Sequence, residues 1–405
     1  MRAQPISVLY FTNTDARGGA EEHMLTLLHG LDRTNFRFQL VCPPEVADML
    51  RSDLPADVEL LPLCLRKPSQ FASAIRLGQI LRERHVDILH SHLFCSSLFA
   101  SPIGWLCRVP VILETPHLSE RWRHGWFKSR FVVDRFVGRF VDYYIAVSEA
   151  NARYLSKEKG LHREKIVVIH NGCDLARFFP SHRAPAGFKE SLGFHEDDPI
   201  LVILARLEPQ KGHRTLLQSL QTVRCEFPQV RLVCLGDGGL RDELESQVRD
   251  LCLDGSVRFL GYQPNVLDWL SLANLTVLPS LWEGLPLSAI ESLAAGRPVV
   301  ATAVDGTPEV VVDGKTGLTV PPNDPERFAG AICRLLREPG LRERMGEAGR
   351  KWVMEHFSRE RQIRQTQELY LSAWEQRQRG VRTVMQTAGI ENHPRTAVPT
   401  AEQNR

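Results

Sequence analysis

Apolar residues along the chain fall into short runs of strand length, separated by longer stretches with helical spacing. In the first half, residues 6–11, 38–42, 88–90, 111–114, 143–147 and 167–169 are compact and rich in β-branched residues, and read as strands. Residues 20–31 and 72–85 repeat apolar positions every three or four residues and read as amphipathic helices. The pattern then restarts. Residues 200–205, 230–235, 257–260, 275–278, 299–301 and 317–320 form a second set of strands, with helical stretches at 214–227, 240–251, 266–272 and 288–295. Strands apolar throughout imply parallel sheets covered on both faces. The expectation is an α/β protein of two Rossmann-like parallel-sheet domains, joined in the Pro-, His- and Gly-rich stretch 179–196. The domains are placed at 1–185 and 186–356, followed by a helix over 357–379. Residues 380–405 carry few large apolar side chains and read as a disordered tail.

Composition narrows the classes. The chain has 405 residues, 43% apolar and 24% charged, with a formal net charge of +2. That balance gives no global argument for nucleic-acid binding. Nine cysteines form no Cys-x-x-Cys pair, and most sit in apolar runs such as Val233-Cys234-Leu235. Disulfides and a zinc finger are not expected, and a reducing cytosol fits. Residues 6–11 are too short for a signal-peptide core, and the apolar region 93–113 is interrupted by Pro102, Arg108 and Pro110, so no spanning helix is expected.

Chemistry concentrates where strands give way to helices. Trp282-Glu283-Gly284-Leu285-Pro286 follows the 275–278 strand and leads into a helix that carries Glu291. First-turn amides of such a helix bind anions, and the two carboxylates suit ribose hydroxyls and a sugar. A capped surface helix with one solvated Glu is the rival reading. Asp305-Gly306-Thr307 makes a second turn at the same sheet edge, where ligands of open α/β sheets bind. Arg206 and Lys211 follow the 200–205 strand, and two cations on one loop suit a diphosphate. Gly18-Gly19 opens a helix after the first strand, without the spacing of a dinucleotide fingerprint. His90, His92 and His117 end strands and read either as site or as structural histidines; a zinc site is a third reading, without a helical His pair to support it. No Asp-x-Asp triplet is present. Residues 121–130 interleave Arg121, Arg123, Lys128 and Arg130 with Trp122, Trp126 and Phe127, which suits an anionic membrane surface or an inward-packed helix with solvated cations.

Together these segments resemble the retaining glycosyltransferases of family 4, of GT-B fold. The resemblance runs from about Ile6 to Tyr370. Its most specific part is Glu283 and Glu291 at E-x7-E spacing, followed by Gly296-Arg297-Pro298-Val299-Val300-Ala301-Thr302. Gly18 to Glu21, Val147-Ser148, Ile169 to Asp174, Arg206 with Lys211, and Gly261-Tyr262 support it. The resemblance implies that Glu291 holds a ribose and Glu283 contacts the donor sugar, with His117 near that sugar. It also implies that Arg206, Lys211 and the Gly19 backbone bind the diphosphate, with Leu285 and Pro286 offering backbone amides. By the same resemblance, the helix around residues 357–375 crosses back to the first domain, the anomeric configuration is retained, and the first domain binds the acceptor. His170 replaces a more usual Pro, and Asp305-Gly306-Thr307 a Gly-Gly pair. The expected activity moves a sugar from a nucleotide diphosphate sugar, UDP-sugar before GDP-mannose, to a glycan or lipid-linked acceptor of a bacterial cell surface. No metal or other cofactor is expected, and the inner membrane face is the expected place of contact. An epimerase or phosphorylase on the same fold, and a non-catalytic carbohydrate-binding subunit, are the rivals.

Overall fold

The computed structural model describes residues 4–15, 17–119, 131–178, 182–185 and 187–379. Seven strands build the first sheet: β1 (Ile6–Phe11), β2 (Phe36–Cys42), β3 (Glu59–Pro62), β4 (Ile88–His92), β5 (Val111–Thr115), β6 (Tyr143–Ala146) and β7 (Ile166–Val168). Six build the second: β8 (Ile200–Leu204), β9 (Arg231–Leu235), β10 (Val257–Phe259), β11 (Leu275–Leu278), β12 (Val299–Thr302) and β13 (Gly317–Val320). The orders are β3-β2-β1-β4-β5-β6-β7 and β10-β9-β8-β11-β12-β13. Neighbours pair in parallel, for example Phe11 opposite Ser91 and Leu278 opposite Ala301. β1, β4, β5, β11 and β12 are buried along their whole length, the reason β1, β11 and β12 run almost entirely apolar instead of alternating, while β4 and β5 bury His90-Ser91-His92 and Glu114-Thr115 at their carboxyl ends.

The expected fold class is therefore observed, with two differences in detail. β3 was not anticipated. It is an edge strand, only half buried and ending in Pro62, so it lacks the apolar run that marks central strands. Helix Phe94–Leu106 passes through Pro102. A Pro inside a helix costs about 3 kcal/mol against Ala; burial of Phe94, Ser97, Ala100 and Gly104, with Gly104 seated near Leu89 of β4 and Ile112 of β5, offsets it.

Three helices close the described chain: Pro325–Arg337, Pro339–His356 and Arg359–Gln378. The last crosses back to the first domain. Its Leu369, Tyr370 and Ala373 join the core built by Phe36, Leu40 and Leu113. The Tyr370 hydroxyl donates to Tyr10 Oη at 3.0 Å and lies 2.5 Å from His90 Nδ1. His90 Nε2 meets Thr115 Oγ1 at 2.7 Å, so His90 is a satisfied core histidine. No helix among the described residues is long and apolar enough to cross a membrane.

Candidate functional site

In each sheet the strand order reverses once, between β1 and β4 and between β8 and β11. A crevice opens outside the carboxyl ends of the strands at such a point. Gly18-Gly19 and His92 follow β1 and end β4 at the first switch point. Arg206 and Glu283 follow β8 and β11 at the second. The two crevices face each other, and this juxtaposition is written in the strand order, which no local pattern reveals.

In the second domain, two loops are tied together. Leu281 N–H donates to Gln210 O at 2.7 Å, and Gln210 Nε2 donates to Trp282 O at 2.8 Å. The linkage sets Lys211 Nζ 2.5 Å from Glu283 Oε1, which also accepts from Ser280 Oγ at 2.7 Å. Glu283 N–H donates to Asp305 Oδ2 at 2.9 Å, the oxygen to which Ser119 Oγ of the first domain donates at 2.7 Å. Asp305 thus links the Glu283 loop to the facing domain. Leu285 is buried, and Pro286 precedes helix Leu287–Ala294. One expectation needs correcting here: Pro286 has no N–H, so amide donation falls to Leu285 and to the first-turn residues Leu287 and Ser288.

From the first domain, helix Gly19–Gly30 begins at the Gly-Gly turn. Glu21 folds back to accept from Gly18 N at 2.9 Å and Thr14 Oγ1 at 2.7 Å. Burial raises the Glu21 carboxyl, while Thr14 and, across the cleft, the charge of Arg206 pull it down. Gly19 and Arg206 are therefore brought to the same cleft. His117 lies just beyond β5 with φ of 52°, a left-handed conformation costing roughly 1–2 kcal/mol for a non-glycine residue. Its carbonyl lies against Gly284: a Cβ there would sit 1.8 Å from His117 O, and one at Gly306 would sit 2.1 Å from Gly284 O. Only glycine permits this approach of the two domains.

The His117 ring belongs to a cluster. Its Nε2 lies 3.0 Å from His92 Nδ1, and its ring meets that of His23 edge-on at a centroid distance of 4.8 Å. Burial holds His92 and His117 well below the usual imidazole range, and His23 at about 4. All three rings are neutral at pH 7.

Further contacts close the domains on each other. Ser148 Oγ accepts from Asn151 N, capping helix Glu149–Arg153, and donates to Gly284 O at 3.0 Å. Glu309 accepts from the amides of Glu149 and Ala150 at 2.9 and 2.8 Å, and His170 Nε2 lies 2.9 Å away. A carboxylate at a helix N-terminus is stabilising, and despite burial these donors keep Glu309 below the usual carboxyl value. His170, the departure from the family pattern, is thus half of an interdomain pair.

Glu291 is the fifth residue of its helix. Burial raises its carboxyl to about 7; Arg177 lowers it and Glu22 of the first domain raises it. A carboxylate accepting two hydroxyl protons works best ionised. The expected result is that affinity for a nucleoside diphosphate climbs with pH through about 7, and that Glu291→Gln flattens the climb; calorimetric titration across pH measures both.

The structure thus gathers Gly19, His117, Arg206, Lys211, Glu283, Leu285, Pro286 and Glu291 around one cleft. Arg121, Trp122, Arg123, Trp126 and Lys128 lie outside the described residues, as does the expected tail. Sequence reasoning missed His23, Arg177, Glu309 and Gln362, and it named Ser148 only as part of a motif, without a role. His23 had one available signal: it stands four residues after Gly19, one turn along the same helix face.

Residues 17–177 match the family model described as Glycosyltransferase Family 4, and residues 187–352 the one described as Glycosyl transferases group 1. A D-inositol 3-phosphate glycosyltransferase of Kribbella flavida is 30% identical over 339 residues, spanning 73% of this chain and 78% of the relative. The putative glycosyltransferase EpsD of Bacillus subtilis is 30% identical over 312 residues, spanning 75% and 81%. Among solved structures, Anabaena Alr3699/HepE in complex with UDP-glucose superposes with a TM-score of 0.79 at 19% identity, covering 91% of this chain and all of that one. A Rickettsia africae glycosyltransferase gives 0.78, also at 19%, covering 91% and 98%. At that identity the likeness speaks for the shared GT-B fold.

Proposed function

Because the chain belongs to glycosyltransferase family 4 and so transfers a sugar from a nucleotide sugar, we propose that its donor is a UDP-sugar, with GDP-mannose the second choice, and that transfer retains the anomeric configuration. The observation that carries this reading is the Lys211–Glu283 pair at the second switch point, with Arg206 on the same loop as Lys211 and His117 opposite. Lys211 and Arg206 neutralise the diphosphate as it leaves, joined by the amides of Gly19, Leu285 and Leu287. Glu291 holds the ribose. Glu283 and His117 border the donor sugar. The UDP and UDP-glucose complexes of Anabaena Alr3699/HepE support the UDP preference.

The acceptor, a glycan or lipid-linked sugar of a bacterial surface, lies on the first domain, taken as residues 1–185; residues 186–356 hold the donor. The acceptor hydroxyl forms its bond to the anomeric carbon as the bond to phosphate breaks, and its proton passes to the departing phosphate oxygen. No metal takes part: cationic side chains and helix N-termini supply the stabilisation. Product analysis tests the reading. A retained anomer, formed only when acceptor is present, is expected; an inverted anomer overturns the mechanism, and turnover without acceptor points to an epimerase. Lys211→Ala and Glu291→Ala are both expected to weaken nucleotide-sugar binding.

Contact with an anionic membrane is part of the proposal. In support, Val132 and Phe136 on helix Phe131–Val137 and Trp105 and Leu106 nearby are exposed, and Phe140 bridges Trp105 and Phe136. Arg135, Arg139 and Lys165 line a cavity of about 700 Å³ beside them. Charge reversal at Arg121, Arg123 and Lys128 is expected to abolish co-sedimentation with phosphatidylserine vesicles; unchanged binding removes that segment from the contact.

A further inference from the structure

We propose that His23, His92 and His117 form a three-histidine site for a borderline-soft divalent cation, Zn²⁺ above all. One nitrogen from each ring lies within 4.8 Å of those of the other two, although the residues come from a helix, a strand end and a loop separated by up to 94 positions in sequence. Zinc bound by imidazole at 2.0–2.1 Å sets its ligand atoms roughly 3.3 Å apart in a tetrahedron. Side-chain rotations of about 1–2 Å would contract the set to that size.

The hydrogen bonds around the cluster leave lone pairs in it. Asn171 Oδ1, 2.8 Å from His23 Nδ1, can only accept, so the tautomer with the proton on Nδ1 satisfies it and leaves the lone pair on Nε2. Gly172 N–H donates to Gln362 Oε1 at 2.7 Å, which turns the Gln362 amide nitrogen toward His23, 2.9 Å from Nδ1. With the proton on Nδ1, Asn171 accepts from the back of the His23 ring, the outer-shell support that metal-ligating histidines have; Gln362 Nε2 donates to Nδ1 only in the other tautomer. His23 and His92 are at most 3% exposed, and their Nε2 atoms have no hydrogen-bond partner among the described residues. His92 Nδ1 donating to His117 Nε2 at 3.0 Å leaves the lone pair on His92 Nε2, and that hydrogen bond opens when His117 joins the metal. A buried nitrogen left without a partner is costly, and a cation that accepts the His23 and His92 lone pairs removes the cost. Three imidazoles leave the fourth position of a tetrahedral ion open to water.

The site takes in His117, the ring that the proposed function sets beside the donor sugar. Metal capture and donor contact then compete, so zinc acts as a reversible inhibitor; this consequence rests on that reading, whereas metal binding itself does not.

The test is titration of the metal-free full-length chain with CoCl₂, followed through the visible bands of four-coordinate cobalt. The expected result is a single equivalent bound, displaced by ZnCl₂, and absent in His23→Asn and in His92→Asn. Asn171→Ala keeps all three ligands and is expected to weaken metal affinity about 10–100-fold, so the test survives if a histidine variant does not fold. Absence of the four-coordinate bands in the wild type, or their persistence in both histidine variants, overturns the proposal. Nucleotide-sugar binding measured beside it in excess chelator separates the two readings. Its loss counts against the proposed function, while its survival without cobalt binding counts against the metal site alone.

Discussion

Lys211→Ala lowers kcat/KM by about 10²–10³-fold, the loss expected when one fixed donor is removed from developing charge in a sheltered site. The variant also unfolds more readily. The Glu283 side chain is only 5% exposed, and Lys211 and Ser280 hold its charge. Without Lys211, the carboxylate stays buried against the Ser280 hydroxyl, at a cost of about 1–3 kcal/mol. The two losses separate in Lys211→Met/Glu283→Gln. That double variant removes both charges and is expected to recover most of the unfolding free energy, while its rate stays low because Arg206 alone meets the diphosphate and Glu283 no longer borders the donor sugar. Steady-state kinetics and urea unfolding on the same three proteins decide between a lysine that acts on substrate and one that only neutralises Glu283. Recovery of rate in the double variant would leave Lys211 a structural partner.

The second large effect lies in a buried ion pair of the first domain. Lys159 and Asp134 are each about 2% exposed, and Lys159 Nζ lies 2.7 Å from Asp134 Oδ1 and 4.9 Å from the centre of the Phe94 ring. The pair joins helix Phe131–Val137 to the residue following the π-helical turn Tyr154–Glu158. Removing one side of a buried pair takes the opposite charge from the other, so Lys159→Met costs about 3–5 kcal/mol in chemical denaturation. Adding Asp134→Asn removes the Asp134 charge, and a coupling of at least about 2 kcal/mol is expected in the double-mutant cycle. Additive effects would mean that the two groups do not act as a pair. Nucleotide-sugar affinity is expected to change little once folding is restored by lower temperature, because neither residue borders the cleft.

Much of this architecture was readable because central parallel strands announce themselves. β1, β11 and β12 are buried on both faces and so nearly uninterrupted in apolar character; β4 and β5 begin apolar and turn polar only at their carboxyl ends. β3 was hidden for the opposite reason, being a half-covered edge. The donor side of the cleft was legible because its groups come in short segments of fixed spacing: Arg206 to Lys211, Glu283 to Glu291. The facing side was less so. His23 looks like any polar position of an amphipathic helix until β1 and β4 are known to be neighbours, which brings His92 beside it. The Glu309 contact with the amides of Glu149 and Ala150 spans about 160 positions and belongs to tertiary packing alone. Gln362 reaches Gly172 across 190. Its role depends on where the last helix lands, and sequence periodicity records only that the helix exists.

That last helix has a consequence for how the protein is made. Leu369, Tyr370 and Ala373 complete the core of the first domain, yet they leave the ribosome only after the whole second domain. From residue 178 to 378 the delay is roughly 10–40 s at 5–20 residues per second. During it the nascent first sheet stands with one patch of its apolar face uncovered, while the second domain emerges. The chain therefore matures in the reverse of its written order, and a chaperone that holds the early half until release would act on the surface later covered by Tyr370.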